Sequence, residues 1–154
     1  MEALLGILVG AILGFFLGFV KTRFGRQRTK TDFAGALHTE ISLSKQGLED
    51  AVTKARRSRK DSRVKRPTGA ALTRSVYSGC IANLGLLPRD ARYAVQNFCA
   101  CLHDVEFIAE EARYQWEKAS NQQRQALRQV FLEGGELALA RAEQTLSQLE
   151  KLTE

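Results

Sequence analysis

The sequence predicts an all-α protein: an N-terminal transmembrane helix followed by a cytoplasmic antiparallel bundle of three to four helices. Three observations point there. Residues 3–20 form an apolar run of 18 residues without a charge. Beyond residue 30, apolar positions recur at alternating spacings of three and four, the period of a helix face. The chain has only 2 prolines, 8% aromatics and a scarcity of Asn-Gly or Asp-Gly pairs, too little turn chemistry for a sandwich or barrel of short strands. A length of 154 residues suits one compact domain. The expected division is a transmembrane anchor with a basic juxtamembrane flank over residues 1–30, then a helical bundle over 31–154 with a mobile basic loop at 58–69. The 3 cysteines cannot form a complete disulfide framework, which suits a reducing cytoplasm.

The apolar run is long enough to span, since 18 residues rising about 1.5 Å each reach roughly 27 Å. Glu2 precedes the run and Lys21, Thr22, Arg23 and Phe24 follow it. A cleavable signal wants the opposite flanks, so a retained anchor is expected. Lys21, Arg23, Arg26, Arg28 and Lys30 follow the run with no acid among them. The positive-inside rule then places the N-terminus outside and the remainder in the cytoplasm. The same five side chains are expected to contact anionic lipid headgroups. Gly6, Gly10, Gly14 and Gly18 share one side of the span, leaving a groove where a second helix backbone can approach. Self-association or packing on a partner membrane protein is expected through these glycines.

Phe33, Leu37, Ile41, Ser44, Leu48, Ala51 and Ala55 make the inward stripe of a helix over residues 32–57, continuing almost directly from the anchor. Residues 58–69 lack such a stripe and contain Pro67 and Gly69, hence the predicted loop. A short helix over 70–84 turns Leu72, Val76, Cys80 and Leu84 or neighbouring Ile81 inward, with Gly85 placed to stop it and Pro88 to open the next. From 88 to 118 a long helix aligns Ala91, Val95, Phe98, Leu102, Val105, Ala109, Ala112 and Trp116. A last helix over 121–152 aligns Leu127, Phe131, Gly134, Ala138, Arg141, Thr145, Gln148 or Leu149, and Leu152, with Val130, Leu137 and Leu146 broadening the face. The Gly134–Gly135 pair predicts a kink or a close helix contact there. Short connections after residue 70 favour antiparallel neighbours.

Charge is unevenly spread. Residues 21–74 hold 15 basic and 5 acidic side chains, whereas residues 75–154 hold 8 and 11. Topology explains the first basic cluster but not the second, Arg56, Arg57, Arg59, Lys60, Arg63, Lys65 and Arg66. An acidic protein or lipid is the expected partner for it, because no interleaved aromatics or nucleic-acid module accompany the charge. On the 88–118 helix, Asp104, Glu106, Glu110, Glu111 and Glu117 read as a solvated acidic face. Tyr93, Phe107 and Tyr114, spaced at multiples of seven, read as core cover for a fourth helix or as an exposed contact patch.

Little in the sequence suggests catalysis. Cys99 and His103 share a helix side, but Cys101 points about 200° away from Cys99, leaving two metal ligands where more are needed. The 2 histidines, His38 and His103, fall in no nucleophile or metal signature, and no Gly-rich phosphate loop follows a strand. No enzyme activity, cofactor or metal is therefore expected.

The Gly-spaced anchor, the basic stop KTRFGRQRTK, the early ALHTEI helix and the later LGLLP corner together resemble, in layout, small uncharacterised bacterial single-pass membrane proteins with a helical cytoplasmic domain. That resemblance implies a bacterial or phage inner-membrane setting and transfers no activity or site. The expected function is a membrane-tethered interaction or scaffold protein. A pore-forming or membrane-perturbing effector and a membrane-linked nucleic-acid-binding protein are the alternatives.

Overall fold

The computed structural model describes the backbone of residues 2–57 and 83–153, and the side chains of residues 29–57 and 83–153. The described residues are all-helical, with three long helices and no strand. Helix α1 (Glu2–Arg57) is one unbroken helix of 56 residues. A 3₁₀ turn (Leu84–Leu86) leads into α2 (Arg89–Gln115), and α3 (Asn121–Glu150) follows after a short turn. The predicted helix over 70–84 lies outside the described residues up to position 82, as do the basic loop and Cys80.

Helix α3 is central, packing against both α1 and α2. Val52 of α1 faces Gly135 and Lys45 faces Glu143, so α1 and α3 run antiparallel. Val105 and Ile108 of α2 face Gly134 while Ala94 faces Thr145, so α2 and α3 are antiparallel too. Helices α1 and α2 are therefore parallel to each other. Arg57 consequently lies toward the end of the bundle opposite the start of α2.

The core stripe predicted for α2 is buried throughout, from Ala91 to Trp116, with Ala94 added at its edge. On α1, Leu37, Ile41, Ser44, Leu48, Ala51 and Ala55 are buried together with Ala34 and Val52. Phe98 of α2 and Phe131 of α3 have no exposed surface. Each such side chain contributes about 1.5–3 kcal/mol through removal from water. The inward face of α3 is narrower in residue size: Gly135, Ala138, Ala142 and Thr145 sit between Phe131 and Leu149. Small side chains there let two neighbours approach one helix from two sides.

Several expectations are corrected. Val130 and Leu137 do not broaden the α3 core but stand about half exposed. The buried stripe of α3 instead shifts toward α1, taking in Gly135 and Ala142. Glu106 is buried rather than part of a solvated acidic face, because it directly follows Val105 on the broad core side of α2. Gly85 lies exposed within the 3₁₀ turn, and the helix it is expected to stop lies outside the described residues. At Gly134–Gly135 the second of the two expected outcomes holds: α3 runs on through the pair, and Gly135 makes a close contact with Val52 of α1.

The helix ends have identifiable locks. Ser120 opens α3 with a capping box: its hydroxyl accepts from Gln123 N, and its own N–H donates to Gln123 Oε1. These contacts satisfy donors that the first helical turn leaves unpaired. Arg124 donates from Nε to the Trp116 carbonyl at 3.0 Å and lies over the Trp116 ring, fastening the α2–α3 turn. At the other end, Arg92 donates to the Leu87 carbonyl at 3.2 Å, holding the 3₁₀ turn against the first turn of α2.

Candidate interaction surface

On the outer side of the α2–α3 pair the two helices leave a groove of about 340 Å³, lined by Phe107, Ile108, Glu111, Gln115, Gln123, Ala126, Leu127 and Val130. Its walls follow from helix geometry. Residues 107, 111 and 114 succeed one another along one side of α2 at spacings of four and three, and Val130 and Leu137 lie two turns apart on α3. Gly134, between those two positions, is closely approached by Val105 and Ile108 of α2. A Cβ there would meet Ile108 Cδ1 at 3.4 Å, an ordinary contact.

Phe107 is 62% exposed and Tyr114 78% exposed, which decides between the two sequence readings of the aromatics in favour of a surface patch. Tyr93, half exposed toward the far end of the same helix, is covered partly by the Arg89 guanidinium 5.5 Å from its ring. Single exposed apolar side chains are ordinary on protein surfaces. Phe107 and Val130 are different in lining one groove.

One charged side chain, Glu111, lines this groove. Asp104 lies two turns before Glu111 on α2, and Glu133 one turn after Val130 on α3; both are exposed. Gln115 and Gln129 donate to Glu111 and Glu133 respectively, holding the two carboxylates on their helix surfaces. The arginines of the first turns of α3 are turned elsewhere, since both Arg124 and Arg128 reach over the Trp116 ring.

The basic residues predicted as sites are placed differently. Lys30 is exposed on α1, while the side chains of Lys21, Arg23, Arg26 and Arg28 lie outside the described residues. Gly6, Gly10, Gly14 and Gly18 all fall on the α1 backbone, and what packs against them lies outside the described residues. Arg56 and Arg57 are exposed at the end of α1, and Arg59, Lys60, Arg63, Lys65 and Arg66 lie outside the described residues. Arg56 donates to Glu136 of α3 at 2.5 Å, so part of the second cluster already pairs within the bundle. Lys45 bridges Glu143 at 3.2 Å and Glu49 at 3.5 Å. The hydrogen bond to Glu143 is the main reason its ammonium is held above the ordinary lysine range. Burial pushes the Glu40 carboxyl up from its usual value.

Cys99 and Cys101 are half-buried thiols packed against the core, and His103 is exposed. Among the described residues, no three His, Cys, Asp or Glu side chains gather into a potential metal site. Among the described residues, too, no helix is long and apolar enough to cross a membrane; the 3–20 run is not one of the segments whose side chains are described. The sequence reading offers an aromatic contact patch at Phe107 but not the groove, because it counts Leu127 and Val130 with the α3 core and Glu111 with a solvated face. The one available signal was that 107 and 114 fall off the α2 core stripe by half a turn. No family model, curated protein or solved structure matches this chain.

Proposed function

We propose that the chain is a membrane-tethered interaction module, in which residues 3–20 anchor it and the helical bundle presents a binding surface on the cytoplasmic side. The observation that carries this is the continuity of α1 from Glu2 to Arg57. The apolar run and the bundle belong to one helix, so the orientation of the first sets the position of the second. With α1 along the membrane normal, Ala34 stands roughly 20 Å beyond Val20 and Arg57 roughly 55 Å beyond it. Lys21, Arg23, Arg26, Arg28 and Lys30 then lie on the stretch of helix nearest the headgroups. Arg56, Arg57 and the basic residues up to Arg66 start far outside a Debye length of about 8 Å. An acidic protein is the better partner for them than lipid. The glycines at 6, 10, 14 and 18 supply a packing face for a second copy or a partner helix. Tethering works by raising the local concentration of whatever the bundle binds.

Flotation of full-length protein on a density gradient after an alkaline wash tests the anchor. Full-length chain should float with lipid, and removal of residues 2–20 should release it to the aqueous fraction with its helical circular dichroism retained. Recovery of full-length protein from the aqueous fraction without detergent overturns the proposal. Protease added outside intact cells should leave the C-terminal half uncut; cleavage there would reverse the orientation.

A further inference from the structure

We draw no further inference here: the strongest candidate, the apolar groove between α2 and α3 lined by Phe107, Ile108, Glu111, Leu127 and Val130, carries none because nothing in the structure shows what covers it.

Discussion

Gly135 of α3 lies so close to α1 that a Cβ placed on it would come within 2.6 Å of Val52 Cγ2. Its chain neighbour Gly134 faces α2 instead, where the same Cβ would make an ordinary contact 3.4 Å from the tip of Ile108. The two glycines thus have different reasons to be present. Gly135→Ala should destabilise the bundle by about 1–2 kcal/mol, because overpacking against a stiff β-branched side chain outweighs the roughly 1 kcal/mol gained in helix propensity. Gly134→Ala should be neutral or stabilising by up to about 1 kcal/mol. Denaturant midpoints of the two variants should move in opposite directions, and Val52→Ala should restore most of the Gly135→Ala loss.

Thr145 joins α3 to α2 through its hydroxyl, which lies 3.0 Å from the Ala94 carbonyl and 2.7 Å from the Arg141 carbonyl of its own helix. The side chain is fully buried. Thr145→Val keeps the shape and removes the donor, and should cost about 0.5–1.5 kcal/mol in chemical denaturation. An unchanged midpoint would mean that the hydroxyl contributes nothing beyond its volume.

Lys45 predicts a pH dependence. Its ammonium is favoured in the folded state, chiefly by the hydrogen bond to Glu143. A lysine whose folded pKa exceeds its unfolded one contributes stability that is complete below the unfolded value and is lost as pH rises through the folded value. Wild-type protein should therefore exceed Lys45→Gln in stability at pH 8, and the difference should shrink above about pH 10.5. The contact is partly solvated, so raising salt should shrink it as well.

Gly10→Ile with Gly14→Ile should abolish crosslinked oligomers formed through the 3–20 segment while leaving membrane flotation intact, since isoleucine blocks close backbone approach but remains apolar. Crosslinking of undiminished yield would remove the glycine face from any packing role.

Much of the bundle was legible because helix periodicity is a local property. The α2 stripe from Ala91 to Trp116 could be read with hardly an error, since large apolar residues repeat there without competition. Helix α3 was harder. Val130 and Leu137 have the same hydrophobicity as true core residues, and nothing in their own neighbourhood tells which side of the helix a partner will cover. Ser120 and Gln123 carry an S-x-x-Q capping signal that marks the start of α3.

Residue order alone determined that α1, α2 and α3 are helices, where α2 and α3 begin and end within a few residues, and how unevenly charge is distributed among them. Only the tertiary arrangement decided that α3 lies between two neighbours, that Gly135 admits Val52, and that Phe107 and Val130 flank an open groove instead of filling a core. Hydrogen bonds and side-chain spacing within a helix are set by residues three or four apart, whereas the choice of buried face depends on which distant helices arrive and from which side.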